Sequence, residues 1–253
     1  MLKHRVIPCL LIQDGGLVKT EKFQKPKYVG DPINAVRIFN EKEVDELIIL
    51  DINASRNQVE PNYQLIEQIA SECFMPVCYG GGVKTVAQAQ KILSLGIEKI
   101  ALQSVAIEDL KVVRSIADFA GSSSVVISVD VKNDWRGRKC LYSSQRRKIT
   151  NQPWQKFILE AVEAGAGEIL MMDVDREGTM SGVDEDLIKT AAELSSVPLV
   201  VSGGIGSVSD ISMAINCGAD AVAIGAFCVF QGPHRAVLIT YPEYDELVKA
   251  TQK

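Results

Sequence analysis

The sequence predicts an α/β fold, a (β/α)8 TIM barrel with an internal half-barrel duplication. Three observations point to it. Short runs rich in Val, Ile and Leu, without clean alternation, recur eight times, as expected of parallel strands buried on both faces. Stretches of helical periodicity separate them, the pattern of a parallel sheet wrapped in helices. The chain also contains itself twice. Gly81-Gly82-Val83-Lys84-Thr85-Val86 returns as Gly203-Gly204-Ile205-Gly206-Ser207-Val208, and Glu46–Asp51 returns as Glu168–Asp173, both at an offset of 122 positions (81 to 203, 46 to 168). An open doubly wound sheet does not explain four strand-helix units in tandem, and no G-x-G-x-x-G turn follows the first strand.

Taken in order, the apolar runs place strands at 5–11, 46–51, 76–79, 99–103, 124–130, 168–173, 198–202 and 221–225. Helical patterns cover 32–43, 63–73, 85–95, 110–119, 154–164, 184–193 and 208–216. The whole chain, 1–253, reads as one barrel domain, with half-barrels at about 1–122 and 123–253.

Composition bounds the function. The 253 residues are 47% hydrophobic, enough for a substantial core. A net charge of −5 argues against a nucleic-acid or membrane-surface protein. No apolar run approaches the length of a membrane span, and the N-terminal residues lack a signal-peptide cleavage pattern. The six cysteines show no C-x-x-C pairing, and only His4 and His234 offer imidazole, so neither a metal site nor a cofactor is expected. Buried, reduced cysteines and a cytoplasmic location are the expectation.

Two connections are long. Residues 17–31 follow the first strand and hold Lys19, Lys22, Lys25 and Lys27. They suit either a solvated loop or a mobile one that closes over an anionic substrate. Residues 132–151 resemble a two-stranded excursion around Trp135–Gly137, either a solvated hairpin or a partner surface.

In such barrels the chemistry lies at the C-terminal ends of the strands. Gly82 with Ser104 forms one phosphate-binding candidate, and Gly204 with Gly225 and Ala226 forms another. A single Gly-Gly turn need only serve strand-to-helix geometry. Two at repeat-equivalent positions favour phosphate binding by exposed backbone N–H groups, one for each end of a substrate. Asp130 ends the apolar strand Val125–Val129 and is the sharpest general acid–base candidate. Asp51 and Asp173 suit helix capping and chemistry equally. At the opposite end Arg5, Glu46, Lys99 and Glu168 each begin a strand. Their charges cancel in pairs, and a salt-bridge plug and a gate both explain them.

These motifs resemble the cyclase subunit of imidazole glycerol phosphate synthase over nearly the whole chain. Gly30-Asp31-Pro32, Leu50-Asp51-Ile52, Gly80-Gly81-Gly82, Asp175-Arg176-Glu177-Gly178-Thr179 and Ser202-Gly203-Gly204 carry the resemblance. It implies a partner glutaminase on the N-terminal face of the barrel, and ammonia passing through the barrel to a bisphosphorylated substrate. Two aspartates ending strands one and five would perform ring closure and cleavage. It further implies that Arg5, Glu46, Lys99 and Glu168 form an ammonia gate, and that Lys19, Gly82, Ser104, Gly178 and Gly204 bind substrate phosphates. Asp130 matches the strand-five aspartate. The strand-one aspartate is absent: the family reads Cys-Leu-Asp where this chain reads Cys9-Leu10-Leu11. Gly16 replaces an arginine, and Met171-Met172-Asp173 stands where the family has small hydroxyl residues.

The run Leu11–Thr20 and Lys25-Pro26-Lys27-Tyr28 resemble a paralogue group associated with bacterial surface polysaccharides. That resemblance implies a glutaminase partner, a separate sugar amidotransferase and an amidated sugar nucleotide as product. Three functions are therefore carried forward: an ammonia-channelling subunit of that kind, an ordinary cyclase that tolerates Leu11, and a non-catalytic scaffold for a glutaminase.

Overall fold

A computed structural model describes residues 4–251. Its eight barrel strands are β1 (Arg5–Gln13), β2 (Leu47–Asp51), β3 (Val77–Gly80), β4 (Lys99–Leu102), β5 (Val125–Asn133), β6 (Glu168–Asp173), β7 (Leu199–Ser202) and β8 (Ala221–Ile224). Each pairs in parallel with the next, and β8 pairs with β1, so the barrel has no free edge. Helices α1 (Pro32–Glu41), α2 (Tyr63–Glu72), α3 (Val86–Ser94), α4 (Leu110–Ala120), α5 (Trp154–Glu163), α6 (Glu185–Leu194), α7 (Val208–Asn216) and α8 (Tyr244–Thr251) follow the strands. All eight expected strands form, with ends displaced by at most three residues. The expected helices also form, and α8 adds one that the periodicity did not single out.

Residue parity explains where everything points. Successive side chains of a strand face opposite sides of the sheet. On β1, Ile7, Cys9 and Leu11 therefore face the barrel interior, where they pack with Ile48, Cys78, Ala101, Val126, Leu170, Val200, Ala221 and Ala223. The alternate residues Val6, Leu10, Ile49, Val77, Ile127 and Ile169 join the larger layer beneath the helices. Asp31, Asn62, Thr85, Asp109, Asp184 and Ser207 cap six helices by accepting backbone N–H groups.

The repeated Gly-Gly turns have one steric cause. Gly81 (φ +126°) and Gly203 (φ +107°) occupy equivalent places, and a Cβ on either would lie 2.6 Å from the carbonyl oxygen of Asp51 or Asp173 respectively.

The long connection after β1, whose lysines suit a solvated or a mobile loop, is a folded hairpin. Gly16–Glu21 folds back antiparallel on β1 and pairs with Gln24–Gly30. Leu17, Val18, Lys19 and Thr20 are buried, while Lys22, Lys25 and Lys27 face outward. The excursion after β5 is the expected hairpin: Val131–Asn133 pairs with Lys139–Leu141, and the turn is closed by Gly137 N–H donating to the Asp134 carbonyl at 3.0 Å. A third strand, Lys148–Ile149, pairs with Tyr142–Ser143. All six cysteines are free thiols. Among the described residues no helix is long and apolar enough to cross a membrane.

Candidate functional site

At the N-terminal face the four strand-starting charges form a closed ring. The Arg5 guanidinium donates to Glu46 and, at 2.9 Å, to Glu168. The Lys99 ammonium donates to Glu46 at 2.8 Å and to Glu168 at 3.1 Å. Glu46 and Glu168 are buried, while Arg5 and Lys99 keep some contact with solvent. Burial alone would lower the proton affinity of Arg5 and of Lys99. The two carboxylates outweigh it and hold both cations above their ordinary values. Above the ring the interior is apolar, beginning with Ile7, Ile48, Cys78, Val126 and Leu170.

At the C-terminal mouth two cavities lie side by side. The larger, of about 130 Å³, collects Asp130, Gly82, Ser104, Gln103, Arg56 and Leu11 among its lining residues. The smaller, of about 30 Å³, collects Lys19, Glu177, Gly178, Gly204, Gly225 and Ala226. Leu11, Phe23 and Met172 line both cavities and form the wall between them. The two groups of predicted phosphate residues are thus real neighbourhoods, but an apolar wall stands between them. Phe23 reaches the mouth from the tip of the first hairpin and meets Tyr142 of the other hairpin at 6.2 Å between ring centroids.

Asp130 is buried at the floor of the larger cavity, 3% exposed. Burial is the main reason its pKa rises to about 7; hydrogen bonds from Ser128 and Gln103 pull the other way. Ser128 Oγ donates at 3.2 Å, and the Gln103 amide donates to the other oxygen. The Gln103 amide also donates to the Tyr142 carbonyl at 3.2 Å and accepts from Ser144 Oγ at 2.6 Å. This chain fixes the carboxyl orientation and ties it to the hairpin after β5. A buried carboxyl poised near neutrality can exchange a proton in either direction. Leu11, which lines the same cavity, cannot.

In the smaller cavity the Lys19 ammonium pairs with the Glu177 carboxylate. Glu177 also accepts from Thr20 Oγ1 at 3.0 Å and from the Phe23 N–H at 3.1 Å. One buried carboxylate therefore pins the whole first hairpin, which is why the connection is folded rather than loose. Lys19 Nζ lies against Gly225, 2.9 Å from where a Cβ would be.

The pattern of the histidine biosynthesis protein family matches residues 5–232 of this chain. The chain belongs to that family. It is 51% identical to a Pseudomonas aeruginosa protein over 98% of this chain and 99% of that one; the relative is named, provisionally, imidazole glycerol phosphate synthase subunit hisF2. It is 48% identical to a Leptospira interrogans protein, again provisionally named an imidazole glycerol phosphate synthase subunit HisF, over 97% of this chain and 98% of that one. A Streptococcus mutans imidazole glycerol phosphate synthase subunit HisF is 36% identical over 82% and 83% of the two chains.

One predicted candidate turns away from the barrel interior, and two others spend their polar groups on local contacts. Asp173 is adjacent to inward-facing Met172, so parity turns it away from the mouth into a crevice beside Leu187 and Ile188 of α6. There burial first, and the nearby Asp184 second, raise its pKa to about 6. Asp51 borders the larger cavity but accepts the backbone N–H groups of Asn53 and Ala54, both at 3.0 Å. The Gly82 N–H donates to Ser55 Oγ at 3.1 Å. Sequence reasoning passed over Arg56, Phe23 and the Lys19–Glu177 pair. The repeat offset would have flagged Arg56, because it aligns with Gly178.

Proposed function

We propose that the protein is the ammonia-accepting barrel subunit of a two-component glutamine amidotransferase, working on a phosphorylated substrate held in the larger cavity above Asp130. The observation that carries the reading is a contrast within one barrel. The charged ring is complete, while Leu11 occupies the strand-one position across from Asp130.

The proposed path runs from the N-terminal face. A glutaminase docks there, beside the ring; Phe74, in the connection leading into β3, is 89% exposed on that side. Lys99 bridges both carboxylates, so moving it opens the ring. The apolar interior favours neutral ammonia over ammonium, since burying an unpaired charge there is costly. Asp130 receives ammonia or its proton at the far end. Leu11 lines the larger cavity with Asp130, where the family resemblance implies a second aspartate, and Leu11, Phe23 and Met172 wall off the smaller cavity. A substrate with a phosphate at each end would have to cross that wall. The family's imidazole-forming reaction is therefore weak or lost in this reading, and an amidated sugar nucleotide for surface polysaccharide, made with a separate amidotransferase, is the proposed product. The Leu11–Thr20 and Lys25–Tyr28 runs support that last step.

The retained Asp130 and glycine turns favour a second reading, an ordinary cyclase. One assay separates the two: free ammonia plus the bisphosphorylated imidazole precursor. Failure of the ring to form, together with one-to-one binding of a glutaminase, is expected. Turnover matching that of an ordinary HisF would overturn the first reading.

A further inference from the structure

The hairpins after β1 and β5 occupy equivalent places in the two half-barrels, yet their tips face opposite ways. The first turns Phe23 into the mouth, where it lines both cavities. The second turns Trp135 out to solvent, 84% exposed. The Trp135 tip is nonetheless fixed. The Asp134 carboxylate accepts the backbone N–H groups of Arg136 at 2.8 Å and Arg138 at 2.9 Å, and the Arg138 guanidinium at 2.7 Å. The Arg136 guanidinium lies over the Trp135 ring, 4.3 Å from its centroid. A large aromatic is thus held in place in water, and a protein that covers it loses little to ordering it.

Charge concentrates on the same element. Residues 132–151 contain seven cations and one carboxylate, in a chain whose net charge is −5. The rest of the molecule is therefore strongly acidic. Lys132 pairs with Asp175 at 3.5 Å, Lys139 with Asp184 at 2.6 Å and Arg146 with Glu108 at 2.9 Å, which ties the hairpin to the neighbouring connections. Arg138 is taken by Asp134. The exposed side chains of Arg136, Arg147 and Lys148 have no carboxylate among the described residues. The base of the hairpin also reaches Asp130. The Gln103 amide that holds the Asp130 carboxyl donates to the Tyr142 carbonyl at 3.2 Å and accepts from Ser144 Oγ at 2.6 Å.

We propose that this hairpin is the docking surface for a second protein partner, the enzyme that holds the nitrogen acceptor, which covers Trp135 with an apolar pocket and meets the free cations with an acidic face. The partner's role rests on the proposed function; the surface itself does not. Tryptophan and arginine are the residue types that dominate binding energy at protein interfaces. The acidic remainder of the chain repels an acidic partner, so the hairpin alone attracts it and sets its orientation. The same acidic remainder opposes a membrane of anionic lipid, and one tryptophan beside Asp134 offers little apolar area to insert. The hairpin extends from the C-terminal end of β5, opposite the face proposed for the glutaminase. Both partners therefore fit the barrel at once, with the acceptor enzyme at the mouth where ammonia would leave.

Surface plasmon resonance at low and high salt tests this, with the full chain bound to its glutaminase and the purified sugar amidotransferase of the same source as analyte. A one-to-one complex is expected, with association slowed by salt. Trp135→Ala should weaken it at least about tenfold. Arg147→Glu combined with Lys148→Glu should weaken it by about as much, mainly through slower association. Both variants should bind the glutaminase as the unmodified chain does, which shows an intact fold. No complex, or one that these substitutions leave unchanged, would overturn the inference. So would sedimentation with phosphatidylglycerol vesicles that Trp135→Ala abolishes, because the patch would then serve a membrane. Glutamine-driven amidation by the three proteins together reads the proposed function separately. Amidation indifferent to the hairpin variants keeps that function and sinks the docking surface, whereas a hairpin-dependent complex without amidation does the reverse.

Discussion

The two ends of the barrel have treated the same duplication differently. At the N-terminal face the repeat persists: Glu46 and Glu168 are equivalent, and each accepts from both Arg5 and Lys99. At the C-terminal mouth it breaks. Leu11 lies across from Asp130, Arg56 aligns with Gly178, and Ser104 aligns with Ala226. A ring of four mutually satisfied charges tolerates little change, because removing any member strands two others in a low-dielectric setting. Mouth residues are bound by no such closure and can diverge with the ligand. Under the proposed function, the preserved end serves a shared nitrogen source and the altered end a different acceptor.

The largest effect expected belongs to the mouth. Asp130→Asn removes its acid–base group, and product formation should fall by about 10²–10⁴-fold with glutaminase docking unchanged. Unchanged product formation would instead favour a scaffold. The same variant has a pH signature. Asp130 titrates at about 7 in the folded chain, whereas an unfolded aspartate titrates near 3.9. The folded state thus holds the extra proton, and the wild type loses stability as pH rises from about 4 through about 7. Denaturation at pH 4 and pH 8 should show the variant gaining on the wild type at the higher pH, and a constant difference would contradict the buried neutral carboxyl.

Next come the buried pairs. Lys19→Ala leaves Glu177 buried and uncompensated, at a cost of about 3–5 kcal/mol. It should also release the first hairpin, read as new proteolytic cleavage near Phe23. Glu46→Gln weakens the ring, whose cations are partly solvated, by a smaller amount, about 2 kcal/mol in urea unfolding. It should also change glutamine-driven turnover more than turnover with free ammonia. If both nitrogen sources are affected equally, the ring is a plug and not a gate. Leu11→Asp is the mildest and the most informative. It restores a second carboxylate facing Asp130, and imidazole formation should rise by about tenfold or more at a modest cost in stability.

Much of this was readable from residues alone. Eight apolar runs and a fixed repeat offset suffice for a barrel, since parallel strands buried on both faces have few alternatives. Arg5, Glu46, Lys99 and Glu168 were recognisable because each begins a strand. Strand ends were harder: Met172 and Asp173 are neighbours, and only the register of β6 against β5, which sets Met172 beside Asp130, decides which one faces the mouth. The hairpin after β1 looked like a charged loop because its exposed lysines dominate its composition. Its anchor, Glu177, is 158 positions from Lys19, beyond any local pattern. Arg56 escaped notice for the opposite reason. An arginine on a short helical turn is unremarkable until its lack of a carboxylate can be seen.

The most direct test assays this chain beside the Streptococcus mutans HisF, with saturating ammonia and the bisphosphorylated imidazole precursor, each with and without its glutaminase. The account predicts glutaminase binding by both proteins and imidazole formation by this chain at least about 100-fold below that of the relative, as expected when one of two cooperating acid–base groups is missing. Equal turnover would contradict it, because the mouth would then perform the family's reaction with leucine in place of the strand-one aspartate.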